Sequence, residues 1–187
     1  MTYSLGVDLG TTFVAAAVAR PVGVAMVPLG DQSVVAPAVV AVRPDGSIVT
    51  GDAAERRAVS QPALVARSVR RRLGDPEPVR LGDVSYPVTT LLAAQLRDVV
   101  ARAADREGEP ADRVVLAHPT TWAPARRSRF SARLRPDPGW SPPGGPGRDG
   151  SVVIDVCSRR VADRHQPAAA QFPGCGLLLP APFGQPV

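Results

Sequence analysis

The chain has 187 residues, 44% of them hydrophobic and 21% charged, a composition typical of one globular domain or at most two. All 22 basic residues are arginine, and the net charge is +5. Arginine runs such as Arg70-Arg71-Arg72 could bind nucleic acid, but no aromatic residues lie between the arginines of these runs. We therefore favour a solvated arginine-rich face over nucleic-acid binding. No stretch approaches the roughly 20 apolar residues of a membrane helix, and the N-terminus does not resemble a signal peptide, so we expect a cytoplasmic protein without a membrane partner.

The first part of the chain is predicted to be mostly β-strand. Strand-like apolar patterns bounded by turn residues occur in four segments: 3–9, 12–19, 24–29 and 36–51. The last of these contains a Pro-Asp-Gly turn between two strands. A short helix over 51–62 should end at Pro62, and residues 62–74 have a helix-like pattern that ends at Gly74.

The following part alternates strands and helices. Residues 79–87 have strand character, and a helix is predicted over 87–108 between Pro87 and Gly108. Apolar residues repeat along it at helical spacing: Leu91, Leu92, Leu96, Val99, Val100 and Ala103. A buried strand over 112–119 and a further helix over 123–134 complete an order typical of an α/β layered domain.

The composition changes near residue 132. Proline and glycine account for 20 of the first 130 residues but for 18 of the last 57, a share typical of low-complexity chain. After the change only 151–156 has strand character. The two cysteines, Cys157 and Cys175, both lie in this last part of the chain and do not have the spacing of a metal site. We therefore predict a domain over 1–132 and an irregular, disordered Pro/Gly/Arg-rich tail over 133–187, as a truncation or reading-frame change in GC-rich DNA would produce.

The stretch GVDLGTT, residues 6–12, contains the corner of the first predicted hairpin. Gly10 lets backbone N–H groups converge on a phosphate, because glycine can take a positive φ and has no side chain to block the approach. Thr11 and Thr12 add hydroxyl donors. Asp8 would repel the phosphates unless a cation lay between them, so a carboxylate here implies Mg²⁺. The alternative is an ordinary hairpin turn in which Asp8 caps backbone donors and the threonines fill strand positions.

Three blocks of the sequence, in this order, resemble one protein family. They are GVDLGTT with the meander after it, VVAPAVVAVRPDGSIVTGDAAERRAVSQP followed by SVRRRLG, and VVLAHPTTWAPARRSRF at 114–130. Over residues 3–131 the chain is similar to the N-terminus of the heat-shock protein 70 (DnaK-type) molecular chaperones. The resemblance implies an α/β fold, namely the first lobe of an actin-like ATPase (ribonuclease H-like, of the actin and hexokinase superfamily) with a mixed sheet and packed helices.

The resemblance also implies how the corner is used. Gly10, Thr11 and Thr12 would form the first phosphate loop of an ATP site, and Asp8 would face Mg²⁺ through its water shell. Arg70 stands where the family has a lysine that contacts the γ-phosphate and the attacking water. Arginine keeps the charge of that lysine, but its planar fork differs from a compact ammonium.

The family resemblance extends to partners and to a second lobe. Pro119 and Arg127 match positions that relay the nucleotide state to a substrate-binding domain, and the implied partners are unfolded client proteins and co-chaperones. The motifs of the second ATPase lobe are not recognisable. GSVVIDV at 150–156 lacks the glycines that should follow it, and QPAAAQF at 166–172 has Gln166 in place of the family's glutamate, so we read both similarities as chance. We therefore expect an ATP-binding chaperone fragment with little or no hydrolysis. The alternatives are a one-lobed interaction module or non-functional remnant and, less favoured, an arginine-rich nucleic-acid binder.

Overall fold

The computed structural model describes residues 3–119, 122, 153–159, 170–171 and 178–179. The strands in these ranges are β1 (Ser4–Leu9), β2 (Phe13–Arg20), β3 (Gly23–Met26), β4 (Ala36–Pro37), β5 (Val39–Val42), β6 (Ile48–Thr50), β7 (Val65–Arg67), β8 (Val79–Leu81), β9 (Val84–Tyr86), β10 (Arg113–Pro119), β11 (Val153–Arg159), β12 (Ala170–Gln171) and β13 (Leu178–Leu179). The α-helices are α1 (Gly51–Ser60) and α2 (Val88–Glu107), and two 3-10 helices span Pro62–Leu64 and Val69–Arg72.

The main sheet has the order β11-β10-β1-β2-β3, with β4 paired to the start of β2. Strands β1, β2 and β3 form an antiparallel meander, whereas β10 and β11 add to β1 in parallel. Counted from the β3 edge, the three meander strands β3, β2 and β1 are followed by the two parallel strands β10 and β11. This is the strand order of a ribonuclease H-like sheet. The predicted mixed α/β, actin-like fold class is confirmed, and the predicted strands over 3–9, 12–19 and 112–119 are observed.

The sheet is covered by α2, the helix that the apolar spacing predicts over 87–108. It begins after Pro87 and ends at Gly108, whose φ of 76° is the left-handed conformation that glycine adopts readily. Its six periodic apolar residues are all buried, and the helix packs against β1, where Leu5 and Leu9 are completely buried. The repeat of 3.6 residues therefore marks a real core face.

A smaller layer lies beside the main sheet. Strands β6, β5 and β7 form a three-stranded antiparallel sheet against which α1 packs. The Pro-Asp-Gly turn predicted in 36–51 connects β5 to β6, with Gly46 at a φ of 82°. In the turn, the Asp45 carboxylate accepts a hydrogen bond from the Ser47 N–H at 2.9 Å. The predicted helix over 51–62 is observed as α1.

The helix-like prediction for 62–74 is wrong. This segment consists of the two 3-10 helices with β7 between them, and β7 pairs with the buried strand β5. Ser68 has a φ of 53°, the one positive φ outside glycine among the described residues, so a helix cannot run through it. Pairing with the β5 edge has overridden a local pattern that fitted a helix.

Beyond residue 119 the structure describes little of the chain. Strand β11 extends the strand predicted at 151–156 and runs parallel to β10 from Arg113↔Val153 to Pro119↔Arg159. The helix predicted over 123–134 lies outside the described residues, and so does Arg127. The boundary near 132 and the tail over 133–187 stay predictions.

Candidate phosphate-binding corner

The corner between β1 and β2 has no room for a side chain at Gly10. A Cβ atom built there would lie 2.0 Å from the backbone oxygen of Phe13 and 3.2 Å from its carbonyl carbon. The sequence argument from a positive φ is wrong, because Gly10 does not have one. Glycine is needed here because the next strand turns back over its Cα. The tip of the hairpin is therefore closely packed backbone.

The two threonines follow Gly10 on the surface of the corner. Thr11 is partly buried and Thr12 is exposed. The Thr12 carbonyl accepts a hydrogen bond from the Ala38 N–H at 2.8 Å, which ties the corner to the chain just after β4. The predicted phosphate-loop residues Gly10, Thr11 and Thr12 are therefore consecutive and at least partly exposed, and the Thr12 carbonyl ties them to the rest of the sheet.

Asp8 lies on β1, on the opposite face of the strand from the buried Val7 and Leu9. Its side chain is only 13% exposed, and its Oδ1 lies 3.5 Å from a guanidinium nitrogen of Arg70, which is also 13% exposed. A pair so shielded from water interacts more strongly than a surface pair would. The structure thus brings together the predicted metal-facing residue and the residue at the family's lysine position.

Arg70 is held in this position by the short helix that carries it. The left-handed Ser68 redirects the chain just before this helix, and Val69 and Leu73 on either side of Arg70 are buried in the core. These two apolar anchors fix the backbone of the turn. The long arginine side chain extends from it toward the end of β1.

A second set of contacts joins Arg70 to the end of β10. The Arg70 guanidinium carbon lies 5.4 Å from the centre of the Trp122 ring, within the range of a cation–π interaction. Trp122 stacks on His118, with ring centres 6.0 Å apart and planes 13° from parallel. Both contact Pro119, the predicted relay residue. The backbone N–H of Trp122 donates to the Pro119 carbonyl at 3.2 Å, and Nδ1 of His118 lies 2.7 Å from the same oxygen.

Sequence reasoning missed His118 and Trp122 as members of the site. His118 is one of two histidines in the chain and is 2% exposed at the end of a buried strand. A histidine directly before Pro119 and a tryptophan three residues after it, in HPTTW, were the available signal. Nothing local indicated that their rings would stack beside Arg70, because that contact depends on the parallel pairing of β10 with β1.

The corner suits a magnesium ion only as a partner of phosphate groups. No group of three or more His, Cys, Asp or Glu side chains that could hold a metal occurs within the described part of the chain. Mg²⁺ often keeps several waters and takes one or two carboxylates plus substrate phosphates. Asp8 can serve as such a carboxylate through a water, although the Arg70 guanidinium already lies 3.5 Å from it.

The sheet order and the corner at the end of β1 together define the first lobe of an actin-like ATPase. The model of the family described as Hsp70 protein matches residues 4–123. The DnaK chaperone proteins of Thermotoga petrophila and Thermotoga maritima are each 30% identical to this chain over 126 residues, 67% of its length and 21% of theirs. That of Thermotoga neapolitana is 29% identical over the same length.

The chain belongs to the Hsp70 family. It spans about a fifth of the length of the curated relatives it matches. In the ranges that the structure covers, no helix combines the length and the apolar character needed to cross a membrane.

Proposed function

We propose that this corner binds the phosphate groups of ATP as part of a DnaK-type chaperone. The observation that carries the proposal is the meeting of Asp8 and Arg70, from distant parts of the sequence, at 3.5 Å beside a hairpin tip where no side chain fits at Gly10. An ordinary hairpin turn can need glycine for close packing, but it does not need a shielded arginine directed toward it. A cation in that place is what binding of a polyphosphate requires.

Each residue has a defined task in this proposal. Backbone N–H groups at Gly10 and the hydroxyls of Thr11 and Thr12 donate to phosphate oxygens. Arg70 supplies positive charge from the side of β1. Asp8 is the residue that would hold Mg²⁺ through water, provided that Arg70 leaves the carboxylate accessible, and the ion would then screen the phosphate charge.

Hydrolysis by the 187 residues alone is expected to be slow or absent. The described residues supply one phosphate loop, whereas hydrolysis needs the phosphates enclosed, the attacking water positioned and bulk water excluded. Arg70 adds a further obstacle, since its planar fork does not place charge where a lysine ammonium would. Binding of ATP without hydrolysis is less demanding, because backbone N–H groups can donate to phosphate oxygens without a second lobe.

The contacts of Pro119 support a relay from the corner to other parts of the chaperone. A small shift of Arg70 toward phosphate would change its contact with the Trp122 ring. The same residue is bonded through its backbone N–H to the Pro119 carbonyl. Arg127 would continue the path. Unfolded client proteins and co-chaperones are the partners we propose, and the cytoplasm the location, by analogy with DnaK chaperones.

The test is the thermal shift of the full chain on adding ATP with Mg²⁺. We expect a rise in melting temperature that increases with ligand concentration, as binding to the folded state requires. Thr12→Val removes one exposed donor and should reduce the rise. The matched control Thr90→Val makes the same change at an exposed threonine of α2 and should leave it unchanged. Equal shifts in all three proteins would mean that the corner is only a turn.

A further inference from the structure

The Asp8–Arg70 pair has a consequence for the cation that accompanies the nucleotide. A carboxylate beside a phosphate site must be neutralised, and Mg²⁺ is the usual means. Here a positively charged side chain already lies 3.5 Å from the carboxylate, and each side chain is 13% exposed. The negative charge of Asp8 is therefore balanced within the protein before any ligand binds.

Magnesium and Arg70 compete for the same carboxylate. A hydrated Mg²⁺ that approached Asp8 would come close to the guanidinium, and the two positive charges would repel each other in a partly desolvated site. Arg70 does not have freedom to withdraw far, because Val69 and Leu73 anchor its backbone in the core. Its guanidinium is also steadied by the Trp122 ring at 5.4 Å. Displacing it costs more than displacing a water.

We propose that Arg70 takes the place of the metal, so that this corner binds nucleotide polyphosphate as the metal-free anion. The inference rests on the proposed phosphate-binding function. When a polyphosphate arrives, the guanidinium stays beside Asp8 and donates from its other N–H groups to the phosphate oxygens. Mg²⁺ is then dispensable for binding.

The first experiment measures ATP affinity of the full chain by calorimetry, once with Mg²⁺ and once with EDTA. The wild type should bind equally well, within about threefold, in both conditions. Arg70→Met should lose about 10- to 100-fold of the affinity in EDTA, the usual effect of removing a hydrogen-bonded charge, and regain part of it with Mg²⁺. Arg71→Met, at the exposed neighbouring position, changes the net charge equally and should behave like the wild type.

Asp8→Asn tests whether Arg70 acts as the counter-ion or Asp8 holds a required Mg²⁺, because the two mechanisms predict opposite changes in ATP affinity. If Arg70 is the counter-ion, removing the carboxylate releases the guanidinium, and ATP should bind more tightly in EDTA by about 3- to 10-fold. If Asp8 holds a required Mg²⁺, the same variant should bind Mg-ATP more weakly. The double variant Asp8→Asn/Arg70→Met removes both charges of the pair together, and so serves if Arg70→Met alone does not fold.

Trp122 provides a second readout that does not depend on affinity. The chain has two tryptophans, so Trp140→Phe leaves Trp122 as the only one. ATP in EDTA should change Trp122 emission, because bound phosphate alters the field of the guanidinium that faces the ring, whereas Mg²⁺ alone should not. Binding by the wild type only with Mg²⁺, or undiminished EDTA binding by Arg70→Met, overturns the inference and leaves the proposed function standing. Absence of binding in both conditions overturns the proposed function as well.

Discussion

Substituting Gly10 by alanine tests whether the corner is built by close backbone approach. The new Cβ would lie 2.0 Å from the Phe13 carbonyl oxygen, whereas unstrained carbon–oxygen contacts are about 3.3 Å or longer. The two atoms must therefore separate by more than about 1 Å. The obstacle is backbone rather than a movable side chain, so the whole corner has to shift.

The shift disturbs two connections of the corner. Phe13 pairs with Pro37 where β2 meets β4, and the Thr12 carbonyl accepts the hydrogen bond from Ala38. Overpacking strain and a weakened hydrogen bond together should lower the free energy of unfolding by about 2–3 kcal/mol. For a chain of this size that corresponds to a fall in melting temperature of roughly 5–10 °C. ATP binding should weaken in parallel.

Urea denaturation followed by circular dichroism measures the stability, and Gly46→Ala is the matched control. Gly46 has a φ of 82° and nothing within 4 Å of its Cβ position, so its alanine variant carries backbone strain without a clash. That strain should cost about 1 kcal/mol. If Gly10→Ala costs less than Gly46→Ala, the close approach at the corner is relieved easily and the reasoning fails.

Three other outcomes are expected. Burial raises the pKa of Tyr3 to about 12 from an ordinary 10, so its contribution to stability is complete below pH 10 and is lost as the pH rises to about 12. Tyr3→Phe should remove this loss in alkaline unfolding, together with the 3.1 Å hydrogen bond that the Tyr3 hydroxyl donates to the backbone carbonyl of Glu109. Glu107→Gln breaks a pair with Arg20 in which the carboxylate is 7% exposed, and should cost about 1–3 kcal/mol in urea, whereas Glu55→Gln, in a pair with both side chains over 40% exposed, should cost less than about 1 kcal/mol. Phosphate release at saturating Mg-ATP should be at least about 100-fold below that of an intact DnaK chaperone; comparable turnover from protein free of host chaperone would contradict the expectation.

Local sequence determined the elements whose signals lie within a few turns of chain. The apolar repeat of α2 and the residues that bound it, Pro87 and Gly108, suffice to predict that helix, because its packing face and its ends are both encoded within the segment. The first hairpin and the strand over 112–119 were predictable for the same reason. The order of the matched blocks indicated the family, and with it the corner residues Asp8, Gly10, Thr11 and Thr12.

Tertiary structure decided what depends on neighbours distant in sequence. Residues 62–74 fit a helix by their own pattern, but the free edge of β5 recruits Val65–Arg67 as a strand, since pairing satisfies backbone groups of a buried strand that a helix would leave open. The need for glycine at position 10 was predictable, although its cause, the Phe13 carbonyl, was not. Arg70 likewise approaches Trp122 only when β10 pairs with β1. It approaches Asp8 only when its short helix and β1 both pack against α2, because contacts between side chains on different elements follow from strand register and layer packing.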